Sequence, residues 1–159
     1  EAGAVATTAN AACGGDMCAS EIQNGTTTLA TASQPVLNMS QTQINTLTTQ
    51  STVYPQAERA VLGLWRGGQG YTALGEQIKA TYLNMSSNLW SLYKNFPADF
   101  RLINQQYLNN IISAGKEVIL ETPYDEIIAR HLATNLYWES QYLLQNGYKV
   151  VEQTLMIPK

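Results

Sequence analysis

Charge is scarce in this chain. Asp, Glu, Lys and Arg together make up 13% of its 159 residues, against roughly 25% in ordinary soluble domains. A surface so poor in charge is often covered by a partner, and secreted chains rich in Thr, Asn and Gln show the same deficit. The deficit is also one-sided: residues 1–58 hold Glu1, Asp16, Glu21 and Glu58 but no Lys or Arg, the first base being Arg59. Eight acids and nine bases follow, so the net charge of −3 is −4 from the first part and +1 from the rest. No basic stripe is present to neutralise phosphates, which excludes nucleic-acid binding. Nor is there an apolar run of about 18 residues, which excludes a transmembrane segment.

Cysteine and histidine are scarcer still. Cys13, Cys18 and His131 are the only ones in the chain, too few for a structural zinc site, which takes four ligands. The two cysteines stand in "AACGGDMC" at C-x-x-x-x-C spacing, not the C-x-x-C of a thioredoxin-type redox pair. Twelve residues precede Cys13, so an acylated N-terminal cysteine is excluded as well. A local disulfide between Cys13 and Cys18 remains, helped by the tight turn that Gly14 and Gly15 permit, with free thiols as the alternative. A disulfide places the chain in an oxidising compartment, periplasmic or extracellular. The chain opens on Glu1 instead of Met, in the small-residue stretch "EAGAVATTANAA". The expectation is either an excerpt or a mature form from which a signal peptide has been removed, the latter also accounting for the small-residue opening.

Apolar residues make up 45% of the chain, enough for one domain with a real core. Residues 1–37 are rich in Ala, Thr, Gly, Asn and Ser and show no period, which predicts an extended low-complexity arm. From residue 38 to 159 the helical period dominates. "SQTQ" at 40–43 is a capping box opening a helix with Ile44 and Leu47 on its apolar stripe. A short helix is expected from Pro55 through Ala57, Ala60, Val61, Leu64 and Trp65, ended by "RGGQG" at 66–70. Leu74, Ile78, Tyr82, Met85, Leu89 and Leu92 then lie on one face of a single long helix. Pro97 starts the next, with Phe100, Ile103, Tyr107, Ile111, Ala114 and Val118 on one side and Ile119 widening the stripe. In "ETPYDEI", Thr122 is the expected cap, Pro123 the first helical residue, and Asp125 and Glu126 the charges suited to a helix start. That helix is expected to run to about Leu155, burying Ile128, Leu132, Leu136, Leu143 and Val150. Strand signals are few. The fold expected is all-α, an elongated bundle of three long amphipathic helices with one or two short ones, behind the extended arm.

Candidate chemistry is thin. "RGGQG" lacks the Gly-Lys-Ser/Thr ending of a phosphate loop and follows no evident strand, so it reads as a helix–helix corner. His131 stands alone within the last helix. Asp125 and Glu126 read as helix-start charges more readily than as a general acid and base. Tyr82, Trp90, Tyr93, Tyr107, Trp138 and Tyr142 fall on or beside the helical stripes and read as packing residues. No catalytic, cofactor-binding or metal-ligating residue is predicted, and no cofactor.

The segment "GLWRGGQGYTALGEQIKATYLNMSSNLWSLYKNFPADF", residues 63–100, resembles in layout the minor pilins of bacterial type IV secretion and conjugation systems. In these, long helices are interrupted by a glycine-containing corner, with a short Pro-Ala-Asp-like element afterwards. The resemblance covers about a quarter of the chain and carries no invariant chemistry. It implies an exported, non-enzymatic structural or adhesion subunit of a secretion or pilus machine. The partners would be further copies of itself, other envelope or pilus subunits, and a recipient cell surface. Two other classes share the pattern: a virion or phage-tail structural protein, and a small periplasmic helical enzyme or ligand carrier.

Overall fold

A computed structural model describes residues 34–130 and 135–159; Cys13, Cys18, His131 and Leu132 lie outside the described residues, and with them the disulfide. The described chain is not all-α. It is mixed α/β, with six helices and six strands: α1 Gln41–Ser51, β1 Thr52–Val53, β2 Arg59–Leu62, α2 Tyr71–Ile78, β3 Tyr82–Leu83, α3 Ser87–Tyr93, α4 Pro97–Ala114, β4 Glu117–Leu120, α5 Tyr124–Ala129, α6 Asn135–Gln145, β5 Tyr148–Glu152 and β6 Leu155–Pro158. It divides into two compact units. One takes the chain up to Ser51 together with Met85–Ile103; the other takes Thr52–Asn84 and Asn104–Lys159.

The first unit follows the sequence closely. Ser40 and Gln43 form the expected capping box: the Gln43 backbone N–H donates to Ser40 Oγ at 3.2 Å and the Ser40 N–H donates to Gln43 Oε1 at 2.9 Å. Ile44 and Leu47 of α1 pack with Met39, Leu89, Tyr93 and Ile103. Ser86 caps α3 by accepting from the Leu89 N–H. The Tyr93 hydroxyl both accepts from the Val36 N–H (2.9 Å) and donates to the Val36 carbonyl (3.0 Å), tying the segment before α1 to α3.

The second unit is where the helical expectation fails. A four-stranded sheet runs in the order β2-β4-β6-β5. β2 and β4 are parallel, Val61 opposite Ile119, whereas β4–β6 and β6–β5 are antiparallel. The short helix expected from Pro55 is β2. Val118 and Ile119 belong to β4, because Gly115 (φ +65°) ends α4 and turns the chain back. The last long helix is α5, α6 and the β5–β6 hairpin, with Gly147 (φ +92°) closing α6. The physical reason is the same each time. A four-residue apolar run such as "RAVL" or "EVIL" satisfies a helical stripe as well as it satisfies a buried strand, and only pairing partners distinguish the two.

The long helix expected through Leu74 and Leu92 is likewise three elements. Lys79 takes the left-handed conformation (φ 54°) and ends α2, and Tyr82 then pairs with Val53 in a two-stranded sheet. Pro97 does begin α4 and the acids Asp125 and Glu126 do open α5. The cap there is not Thr122: Pro123 holds the N-cap position, and the Gln153 side chain accepts from the Asp125 N–H at 2.9 Å. Ala60, Leu62, Tyr107, Leu108, Ile111, Val118, Leu120, Leu143, Tyr148 and Met156 form the core between the sheet and its helices.

At the end of α2, Glu76 gathers three partners. Its carboxylate accepts from the Tyr54 and Tyr82 hydroxyls at 2.8 Å each and from Lys79 Nζ at 3.5 Å. The Tyr54 and Tyr82 bonds hold its pKa below the ordinary 4.5. Burial and the Glu76 bond push the Tyr82 phenol up to about 12. A carboxylate whose folded pKa is lowered stabilises above its unfolded value, and the stabilisation is lost as pH falls through the folded one. Glu76→Gln should therefore melt below the native chain at neutral pH, with the gap closing as pH drops below 4.5. Thermal melts across pH 3–7 read this directly; a gap that stays constant would refute it.

Candidate functional site

β2 ends at Leu62 and the chain enters the glycine-rich segment Gly63-Leu64-Trp65-Arg66-Gly67-Gly68-Gln69-Gly70 before α2. A strand does precede "RGGQG", so the segment is a strand–loop–helix connection and not a corner between helices. It lies at the carboxyl end of a strand with a parallel neighbour, the place where open α/β sheets bind their ligands.

Three glycines shape it. A Cβ on Gly63 would fall 2.6 Å from Glu121 Cβ and 2.9 Å from Tyr71 Cβ, so only glycine lets those two side chains meet over the strand end. Gly70, the residue capping α2, sits so that a Cβ would strike the Leu64 carbonyl at 2.1 Å. Gly68 takes φ +86° with nothing within 4 Å of its missing Cβ, leaving the loop's tip open. α2 begins with no side-chain cap and no acid in its first turn, so the positive end of its dipole is uncompensated by its own residues.

Glu121, the residue after β4, joins this loop to the neighbouring strand. Its Oε1 accepts from the Leu64 N–H at 3.3 Å and from Thr122 Oγ at 2.8 Å. Its Oε2 lies 3.3 Å from the Arg66 guanidinium, with the arginine side chain 45% exposed and the glutamate 15%. The Tyr71 hydroxyl donates to the Leu83 carbonyl at 2.7 Å. Burial, then the charge of Glu139 on α6, then Tyr82 raise the Tyr71 phenol far above its ordinary value. Tyr107 is raised by burial first and next by Glu139 and Tyr71. Glu121 and Tyr71 lie on either side of Gly63 at the carboxyl end of β2.

The Tyr107 hydroxyl shares its proton between the carbonyls of Val61 (3.3 Å) and Thr81 (3.2 Å), which fixes α4 against β2. Because the chain reverses at Gly115, residues earlier in α4 lie toward the carboxyl ends of the strands. Asn104 is three residues before Tyr107 on the same helix face, about 4.5 Å farther along the axis at 1.5 Å per residue. It is 3% exposed, and its amide nitrogen finds no acceptor among the described residues.

No known family, curated protein or solved structure matches this chain. What the site can do rests on its own geometry. It holds the Glu121 carboxylate and the half-exposed Arg66 guanidinium paired with it. Sequence reasoning placed none of these residues in a site. The signal that could have found them is "RAVLG", a short apolar run ending on glycine, since a strand there turns "RGGQG" into a ligand-facing loop. Among the described residues no three of His, Cys, Asp and Glu come together as metal ligands, and no helix is long and apolar enough to cross a membrane.

Proposed function

We propose that this chain is a small-molecule-binding α/β domain that holds a polar ligand over the carboxyl ends of β2 and β4, where Glu121 and Arg66 meet. The observation that carries this reading is Asn104. A buried amide donor without an acceptor costs stability, and native structures retain few. A ligand oxygen at the strand ends would be its missing partner. The bonds of Glu121 to Leu64 and Arg66 have a purely structural use, holding the loop onto β4, and they also preorganise the arginine. The expectation of an exported assembly subunit draws its compartment from Cys13 and Cys18, which lie outside the described residues, and no contact described above favours it over ligand binding.

Exchange of Asn104 tests the reading. If the amide is kept for a ligand, Asn104→Leu, nearly isosteric and apolar, should stabilise the ligand-free chain by about 1–3 kcal/mol, the usual penalty of an unsatisfied buried group. Denaturant unfolding of Asn104→Leu and Asn104→Ala measures it. Destabilisation in both variants would mean that the amide serves the fold, and the reading would fall.

A further inference from the structure

We propose that Asn146–Gly147 is a modification site at which the chain reacts with itself. The Gly147 nitrogen attacks the Asn146 side-chain amide, and the turn between α6 and β5 converts slowly to aspartate and isoaspartate. Such an attack needs an unhindered backbone nitrogen free of other bonds, next to an asparagine side chain that can turn toward it. Both residues follow the end of α6 in a turn, and both are exposed. The Gly147 N–H makes no hydrogen bond among the described residues, whereas the Gly147 carbonyl accepts from the Lys159 N–H at 2.7 Å. Gly147 takes φ +92° with nothing within 4 Å of its missing Cβ, so neither a side chain nor a neighbour hinders the nitrogen. Asn146 is held by one side-chain bond, from its Nδ2 to the Tyr142 carbonyl at 2.8 Å, in a place where water can take over the bond. The other Asn–Gly pair, Asn24–Gly25, lies outside the described residues.

The reaction needs only water. The Gly147 nitrogen gives its proton to water and bonds to Asn146 Cγ; the Cγ–Nδ2 bond breaks, ammonia leaves, and a cyclic imide forms. Water then opens the imide. Breaking the new Cγ–N bond leaves aspartate on an ordinary backbone. Breaking the original peptide bond leaves isoaspartate, whose main chain runs through Cγ and is longer by one carbon. Both products oppose this turn. Aspartate loses the Nδ2–H donor to Tyr142 and puts a negative charge at the C-terminal end of α6, where the helix dipole is already negative. Isoaspartate lengthens a connection whose two ends are fixed: Leu143 is fully buried, and Tyr148 is 1% exposed with its hydroxyl donating to the Lys116 carbonyl at 2.6 Å. The modification therefore loosens the β5–β6 hairpin from α6.

Incubation of the full chain at pH 6 and pH 8.5, folded and in guanidinium, followed by mass mapping of the tryptic peptide that ends at Lys149, tests this. Acid should accumulate at position 146 in the folded chain, with isoaspartate detected by isoaspartate-specific methylation. It should form faster at the higher pH, because the attacking nitrogen must lose its proton. The folded chain should react no more than about tenfold slower than the unfolded one, the cost of breaking the single bond to Tyr142. Asn146→Gln should remove the signal. Asn146→Asp, which stands for one product, should melt below Asn146→Ala at pH 7, and the gap should close as pH falls through the ordinary aspartate value of about 3.9. Two results would overturn the proposal. One is a folded chain that forms no acid at 146 or lags the unfolded chain by far more than the Tyr142 bond explains, since the fold then protects the pair. The other is equal melting of Asn146→Asp and Asn146→Ala at pH 7, since the charge then costs the turn nothing.

Discussion

Tyr107→Ala is expected to destabilise the protein by about 3–5 kcal/mol, the range for truncating a large buried aromatic. Tyr107 is 1% exposed, and its ring sits in the core with Leu108, Ile111, Val118 and Leu120. Its hydroxyl also bridges β2 to the start of β3 through the Val61 and Thr81 carbonyls. Tyr107→Phe separates the two contributions. The Thr81 carbonyl keeps the Val61 N–H at 2.8 Å as a donor, so losing the hydroxyl leaves that carbonyl partnered and should cost only about 1 kcal/mol. Urea unfolding of both variants at matched m-value gives the comparison. A Tyr107→Ala cost near that of Tyr107→Phe would mean that the ring is not the packing element that joins α4 to the sheet.

Gly75→Ala should destabilise too, against the usual sign. Within a helix, alanine ordinarily gains about 1 kcal/mol over glycine. At Gly75 a Cβ would lie 2.3 Å from Tyr82 Cδ1 and 2.8 Å from its Cγ. The ring is held at its far end by the hydroxyl bond to Glu76 at 2.8 Å and by an edge contact with Tyr71 at 6.5 Å between centroids. It has little freedom to step aside. Overpacking of this kind costs about 1–3 kcal/mol, and a Cβ at 2.3 Å from the ring belongs toward the upper end, so the net loss should reach up to about 2 kcal/mol once the helix gain is subtracted. In a Tyr82→Leu background the clash is gone and Gly75→Ala should become neutral or stabilising, a double-mutant cycle with a sign change. A stabilising Gly75→Ala in the native background would refute the close packing of α2 on β3.

Where an element is signalled by local chemistry, the sequence was a reliable guide. Ser40 and Gln43 close the first turn of α1 with their own side chains. Pro97 has no N–H to lose at a helix start, and Asp125 and Glu126 favour the positive end of a dipole. None of these needs a distant partner. The same holds for much of the core: Leu47, Leu89, Ile103, Tyr107, Ile111 and Leu143 are apolar stripe positions and all are buried.

The sheet was illegible for a reason visible in β2 and β4. Each has four residues, too few to display an alternating period, and each is buried on both faces or nearly so. Apolar at nearly every position, they extend any neighbouring helical stripe: Val118 follows Ala114 at a spacing of four, and Tyr82 follows Ile78 likewise. What separates them from helix is Gly115 and Lys79 in left-handed conformations, and the partners they meet. Val61 pairs with Ile119 fifty-eight residues on, a pairing that no local window contains.

The candidate site inherits that difficulty. Composition and local signals alone determined the charge-poor character of the chain, the starts of α1, α4 and α5, and much of the core, though not Ile128, which was expected inside and is 39% exposed, because each depends on neighbours within a turn or two. Only the tertiary structure decided that residues 59–62 are a strand, that "RGGQG" therefore opens at the end of a parallel pair, and that Arg66, Tyr71 and Glu121 meet there. These residues come from the loop, the start of α2 and the end of β4. Their meeting is a product of strand pairing between distant segments, an energy that no single segment of this sequence carries.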